Sequence, residues 1–539
     1  MAASGAALWL SAATPALAAT QPDARCTRIV RTALDRARIV SADLVRAGKL
    51  ALPDDPAAGG SLADRTAGLP EFCRVKISAS PSRDSVVGIE LWLPTRGWNG
   101  RFLGTGTGGA GGAIGYSMGM IEGLKRGFAV ANTDLGTAPD VNALAKHSER
   151  WADFGHRATH EMARLSKQLV RGFYAINAVR SYFEGCSTGG QQALVTAQFH
   201  PGDYDGILAG APGSNRTHST TYFIWNYLSL NSVPGSQLSS AQWVMVNRAV
   251  LSACAGKDGG APGDMFLTDP RRCGFDPGSI AACASAAPAD TCLTPVQLAA
   301  VRRLYAGPVN PRTGERIYAG LPMGSEILPL GPERMSDPRI LDRLFVLRWG
   351  MGENFPARTF DFDRDQDQLD ARLSSTLNAN RSDLADFSRR GGKLMIYTGL
   401  ADPGVPYADV IAYYDRVMAS SEAGKGRDFA RLFLVPGMGH CFGGPGVTDI
   451  GQPMVPGVPA KPEGDALMAL VAWVERGVAP SQIIASKPAE HGLPAQERPV
   501  CAYPALPDYR SGNPALRSSF VCRDHAVGSS QEPALRYLN

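Results

Sequence analysis

A chain of 539 residues is too long for one ordinary hydrophobic core and implies more than one structural unit. With 44% hydrophobic and 19% charged residues it is a globular chain, which excludes a disordered polymer. The formal charge of +4 is spread without a Lys/Arg run, and this excludes nucleic acid as a partner, because phosphate binding needs concentrated positive charge.

Residues 1–19 are small and apolar and end in Pro15-Ala16-Leu17-Ala18-Ala19, the form of an Ala-x-Ala export cleavage site. The basic region that precedes such a signal is missing, so the true start is expected upstream of Met1. The expected destination is secreted or periplasmic. No later run approaches the ~18 apolar residues of a membrane helix. The cysteines are Cys26, Cys73, Cys186, Cys254, Cys273, Cys283, Cys292, Cys441, Cys501 and Cys522. An even set without a zinc-type Cys-x-x-Cys pair, in an exported chain, implies five disulfides, whose pairing the spacing leaves open.

Residues 27–48 show helical spacing. Residues 85–94 and 101–103 read as neighbouring strands separated by the turn Gly97-Trp98-Asn99-Gly100. The second strand runs into a glycine-rich loop, 104–112. Positions 104–109 satisfy Gly-x-Gly-x-x-Gly, and Asp134 follows the strand 128–132, an imitation of a dinucleotide-binding fingerprint. The glycine run continues through Gly112 and Gly115, so no helix N-terminus stands ready for a pyrophosphate. An oxyanion loop, in which glycine lets backbone N–H groups approach a carbonyl oxygen, is the better reading.

Residues 158–174 form a helix that leads to Ser181-Tyr182-Phe183 and then to Gly185-Cys186-Ser187-Thr188-Gly189. A strand, a tight glycine turn and a following helix make the nucleophile elbow of an α/β-hydrolase, with Ser187 at its tip. The next sheet strand is 204–212. From 213 to 381 strands vanish, prolines multiply and four cysteines fall between Cys254 and Cys292. The αβ pattern returns at 393–399. The expected architecture is therefore α/β, a signal peptide (1–19), then a hydrolase core (20–212 and 382–539) interrupted by a disulfide-stapled lid (213–381).

The partners of Ser187 must follow the insertion. Strand 393–398 delivers Asp402, and strand 431–435 delivers Gly439-His440-Cys441. The order Ser, Asp, His is that of an α/β-hydrolase triad, in which histidine moves the serine proton and the carboxylate fixes its tautomer. Asp409 is the alternative carboxylate. Cys186 adjoins the nucleophile and Cys441 the base. If those two meet, the cysteines fall within disulfide distance, and the bridge spans the lid and is worth on the order of 5 kcal/mol in the chain-entropy model. A missing triad member would have favoured a non-catalytic binding protein on this scaffold, but all three are present.

On Cys186-Ser187, Asp402 and His440-Cys441 the sequence resembles the tannase and feruloyl esterase family, whose members join a Cys-Ser and a His-Cys dipeptide through a disulfide. Loop 104–112, Ala209-Gly210-Ala211-Pro212, Gly324-Ser325-Glu326 and Arg498-Pro499-Val500-Cys501 carry the likeness further. The resemblance implies a serine esterase for small esters of aromatic carboxylic acids, gallates, hydroxycinnamates or mono(2-hydroxyethyl) terephthalate, with no cofactor for catalysis. Thr188 and Gly108 are the expected oxyanion donors. Phe223, Trp225, Trp349 and Phe355 are the candidates for an aromatic pocket. The family's pairing implies Cys26–Cys73, Cys186–Cys441, Cys254–Cys273, Cys283–Cys292 and Cys501–Cys522. Family lids also hold a calcium ion through aspartates one, four and eight residues after the cysteine matching Cys254. Here those positions are Ala255, Asp258 and Pro262, and an inserted pair brings in Asp264, with Asp269 nearby. The carried-over calcium ligands are Asp258 and Asp264 with the backbone oxygens of Gly260 and Phe266. The sequence carries no marker of oligomeric state.

Overall fold

The computed structural model describes residues 22–53, 62–283, 290–342, 344–459, 462–490, 492, 494–525 and 531–538. The expected signal segment lies outside the described residues.

A nine-stranded sheet runs in the order β1-β2-β3-β5-β4-β6-β7-β8-β9, formed by β1 Ala37–Val45, β2 Phe72–Ala79, β3 Val87–Pro94, β4 Arg101–Thr105, β5 Ala129–Thr133, β6 Arg180–Cys186, β7 Gly206–Gly210, β8 Lys393–Gly399 and β9 Ala430–Val435. The first three strands pair antiparallel with one another, as do β3 and β5, and β5 through β9 are parallel. Every residue of β5 and β7 is buried, as a strand covered on both faces requires. Helix Ala158–Tyr174 packs on β3, β4 and β5, helix Ala466–Arg476 on β7 and β8, and helix Tyr407–Ser420 on β8 and β9. This is the α/β-hydrolase fold.

The expectation of a helix over 27–48 needs correction. A short helix, Pro22–Ile29, ends early, and the chain then becomes edge strand β1. The β-branched residues Ile39, Val40 and Val45 suit a pleated edge, and pairing with β2 satisfies backbone groups that a marginal helix would leave to water. The Cys26–Cys73 disulfide fastens the helix to β2.

Between β7 and β8 the chain leaves the sheet for residues 211–392. Helices Arg216–Asn231, Ser240–Cys254, Pro295–Ala306 and Arg364–Leu377 build this insertion, and Ser239 and Thr294 start two of them with capping boxes. It owns a second core, which includes Trp243, Val246, Val250 and Leu304. Disulfides Cys254–Cys273 and Cys283–Cys292 staple it. After β9 the chain forms ribbons β10 Gln482–Lys487 with β11 Gln496–Cys501, and β12 Ala505–Tyr509 with β13 Phe520–Asp524, joined by Cys501–Cys522.

Candidate active site

The parallel strands deliver their loops to one edge, where sites assemble in such sheets. At the end of β6 the chain turns so sharply that Ser187 adopts φ 62°, ψ −118°, a left-handed conformation costly for a residue with a side chain. The turn is possible because glycine backbones touch across it. A Cβ on Gly106 would lie 2.4 Å from Gly189 Cα, and one on Gly185 would lie 2.6 Å from Gly189 O. The neighbouring strand steadies it, with Ser187 N–H donating to Gly210 O at 3.0 Å.

Asp402, after β8, is fully buried and His440, after β9, is 18% exposed. His440 Nδ1 lies 2.8 Å from Asp402 Oδ2 and 3.1 Å from Oδ1. Oδ1 also accepts from the N–H groups of Gly404 at 2.8 Å and Val405 at 3.0 Å, so the carboxylate is held from both sides. Burial opposes the imidazolium, but the charge and hydrogen bond of Asp402 outweigh it, and the His440 pKa is raised. Asp409 is engaged elsewhere: it accepts from Asn215 Nδ2 at 3.2 Å, and burial pushes it up to about 6. A second histidine–aspartate pair, His218 with Asp370, has both ring nitrogens occupied and cannot serve as a base.

Cys186 and Cys441 are bonded, with Cα atoms 5.8 Å apart across 255 residues of sequence. Cys441 is itself left-handed, at φ 71°. The bridge therefore joins the elbow to the histidine loop at the residues adjoining Ser187 and His440. The other four disulfides also match the pairing implied by the resemblance.

Loop 104–112 closes over the elbow. Thr188 Oγ1 donates to Gly109 O at 2.6 Å, and Thr107 N–H donates to Gln192 Oε1 at 2.8 Å. Among the described residues the N–H groups of Gly108 and Thr188 meet no protein acceptor. The Met118 side chain lies against Gly108, 3.2 Å from where a Cβ would stand. Arg216, which the sequence does not mark, donates from Nη2 to Thr188 Oγ1 at 2.8 Å and from Nε to Gln191 Oε1 at 3.0 Å. Burial pushes its guanidinium down to about 10, and its charge opposes protonation of His440.

The insertion reaches this edge at a place the sequence reading missed. A Cβ on Gly404 would lie 3.0 Å from Leu330 Cδ1 and 3.3 Å from His440 Nδ1, and one on Gly439 would lie 3.7 Å from Leu328 Cδ1. The four aromatic candidates are placed differently. Trp349 is fully buried, stacks on Trp151, and donates to Val141 O at 3.0 Å. Trp225 donates to Arg303 O and packs on Phe362. Phe355 packs on Phe360, and Phe223 on Tyr222. These rings mainly fill the insertion and its seam with the sheet, because aromatic side chains carry the largest apolar surface to bury.

The expected calcium loop does not fit a calcium ion. Asp258 and Asp264 do converge on Gly260, but their oxygens are already taken. Asp258 accepts from the N–H groups of Gly260, Thr268 and Asp269. Both Asp264 oxygens accept from Arg498, at 2.8 and 2.6 Å. Asp269 is held by Arg271. Phe266 lies under the Arg498 guanidinium and against Gly437, in the loop leading to His440.

Fold, elbow and histidine–aspartate pair define an α/β-hydrolase of the carboxylic ester hydrolase class. A family model described as "Tannase and feruloyl esterase" matches residues 73–342 and 347–523. The chain belongs to the tannase and feruloyl esterase family. It is 34% identical to an uncharacterized esterase of Xanthomonas campestris pv. campestris, over 96% of this chain and 94% of that protein. It is 32% identical to the mono(2-hydroxyethyl) terephthalate hydrolase of Piscinibacter sakaiensis, over 85% of each. The crystal structure of feruloyl esterase B from Aspergillus oryzae superposes with a TM-score of 0.85 at 27% identity, covering 93% of this chain and 100% of that one.

Proposed function

We propose that this enzyme hydrolyses carboxylic esters of aromatic acids through an acyl-enzyme on Ser187. Ser187 Oγ attacks the ester carbonyl carbon while His440 Nε2 takes its proton. His440 then protonates the leaving alcohol, and water releases the acid by the reverse path. Asp402 accepts from Nδ1–H and steadies the imidazolium. The N–H groups of Thr188 and Gly108 receive the oxyanion, each worth roughly 10²–10³ in rate. The observation that carries this reading is the Cys186–Cys441 bond, which couples a left-handed serine to the histidine–aspartate pair.

The relatives named for feruloyl and terephthalate esters support an aromatic acyl group. Residues 213–381 act as the lid, with Leu328 and Leu330 as the wall nearest the triad. The Arg498–Asp264 bridge holds the lid loop in place of a calcium ion. Residues 1–19 direct export, which accords with five disulfides. Among the described residues no helix is long and apolar enough to cross a membrane. Hydrolysis of methyl gallate, methyl ferulate and mono(2-hydroxyethyl) terephthalate tests the reading, with Ser187→Ala as control. Turnover of at least one that vanishes in the variant is expected; turnover of simple aliphatic esters alone would contradict the aromatic assignment.

A further inference from the structure

The elbow helix Thr188–Phe199 has Ser187 at its N-terminus and His200 at its C-terminus. A helix of that length separates its ends by about 18 Å. At the far end three side chains from separate places in the chain converge. His160 comes from the first turn of helix Ala158–Tyr174, His200 ends the elbow helix, and Asp203 follows in the next turn, its N–H donating to His200 O at 2.9 Å. One ligand atom from each lies within 4.8 Å of the others. His160 Nδ1 is 2.8 Å from Asp203 Oδ2.

We propose that His160, His200 and Asp203 form a binding site for a divalent transition-metal ion of the zinc type, remote from the catalytic centre. Two further observations point to a missing ligand. His200 Nε2 and, beside it, His156 Nδ1 are buried without a hydrogen-bond partner. The His156 ring centre is 5.8 Å from that of His200, so a third imidazole, and with it a fourth ligand, stands within reach. Buried polar atoms normally find a partner, and two idle imidazole nitrogens beside a carboxylate need an explanation. His156 also sits in a π-helical turn, Asp153–Arg157, and such turns gather at functional sites.

The donor set fixes the class of ion. Imidazole nitrogens with one carboxylate suit zinc, cobalt, nickel and copper, whereas calcium and magnesium want oxygen ligands. The half-buried position leaves a route from solvent. The His160 and His200 rings are stacked with centres 4.1 Å apart, so ligation requires the His200 ring to turn out of the stack. No hydrogen bond on its Nε2 resists that turn. Lys167 donates to the backbone carbonyl of Asp203, which leaves the carboxylate for the ion. A bound ion would tie the start of helix Ala158–Tyr174 to the end of the helix that carries the nucleophile.

The test uses full-length protein, without a histidine tag and stripped by chelator. Co²⁺ is titrated as a spectroscopic probe and Zn²⁺ by calorimetry, for wild type, His200→Gln, Asp203→Asn and Ser187→Ala. The proposal expects one equivalent of tightly bound ion, tetrahedral d–d bands, and a Tm that climbs with the logarithm of free Zn²⁺. His200→Gln and Asp203→Asn should each weaken binding at least ~10-fold, as loss of a metal ligand or its support does. Ser187→Ala should bind as wild type does. Comparing the apo Tm values identifies a variant that merely misfolds, and the other variant then decides. Wild-type binding no tighter than that of both folded variants, or a purely octahedral cobalt spectrum, would overturn the proposal and leave a His160–Asp203 ion pair capped by a stacked ring.

Discussion

Replacing Arg498 by alanine should loosen the lid loop and the histidine loop together. Arg498 is 9% exposed and Asp264 6%, and the pair is joined by two hydrogen bonds. Without the guanidinium, Asp264 stays buried with one backbone donor, Ala261 N–H at 2.8 Å. Breaking such a pair costs about 3–5 kcal/mol, because the remaining charge is uncompensated. The guanidinium also covers the Phe520 ring at 4.6 Å and the Phe266 ring at 5.2 Å. An unfolding entropy near ~2.1 cal/mol/K per residue gives roughly 1 kcal/mol per kelvin for the 539-residue chain. The expected loss is therefore about 3–5 °C in Tm if the chain melts as one unit. Scanning calorimetry of chelator-treated protein, with and without added Ca²⁺, measures it. The double variant Arg498→Leu/Asp264→Leu should recover part of the loss, since it leaves no buried charge. Calcium should rescue neither single nor double variant. An unchanged Tm in Arg498→Ala, or a wild-type Tm that rises with Ca²⁺, would refute the view that a salt bridge stands where the family resemblance implied a cation.

Three other outcomes follow from the geometry. Only neutral His440 can accept the serine proton, and Asp402 raises its pKa, so the acid limb of kcat/KM against pH should fall above the ordinary value of 6.5. Asp402→Asn should lower that limb and cost on the order of 10⁴ in kcat. Glu184 of β6, packed against Gly119, is pushed by burial up to about 8, whereas the unfolded carboxyl titrates near 4.5. Wild-type stability should therefore fall as pH rises from 4.5 to about 8, and Glu184→Gln, followed by thermal melts, should flatten that decline. If the decline persists in the variant, another group causes it. Cys186→Ser/Cys441→Ser removes a closure of 255 residues, about 5–6 kcal/mol in the chain-entropy model. The variant should lose kcat far more than KM at temperatures where circular dichroism shows it folded; an unchanged kcat would mean that the bridge does not position the catalytic loops.

The parts of the site that were legible in the sequence are those where the backbone is constrained. Gly185 and Gly189 are forced by a turn in which their atoms touch, and Asp402 and His440 each follow an apolar run that can only be a buried strand. Cys186 and Cys441 were legible as a pair because each adjoins a residue already singled out. What stayed hidden depends on contacts between distant segments. Arg498 meets Asp264 across 234 residues, and nothing local to either residue announces the other. Leu328 and Leu330 look like ordinary insertion residues until the chain folds back on the triad. Arg216 follows a recognisable turn, but its role beside Thr188 comes only from the start of the insertion passing under the elbow. Edge strand β1 resembles a helix in sequence because its apolar residues do not alternate strictly along Ala37–Val45, and only the presence of β2 selects strand over helix. Phe223, Trp225, Trp349 and Phe355 carry only their aromatic type as a signal, and that type describes a core as well as a pocket.

Ser187 is the residue expected to be acylated during turnover. Treatment with a fluorophosphonate, followed by peptide mass analysis, measures this directly. A single adduct is expected on the peptide containing Gly185-Cys186-Ser187-Thr188-Gly189, absent in Ser187→Ala and strongly slowed in His440→Ala. An adduct on another serine, or none in protein that is folded and hydrolyses its ester, would contradict it.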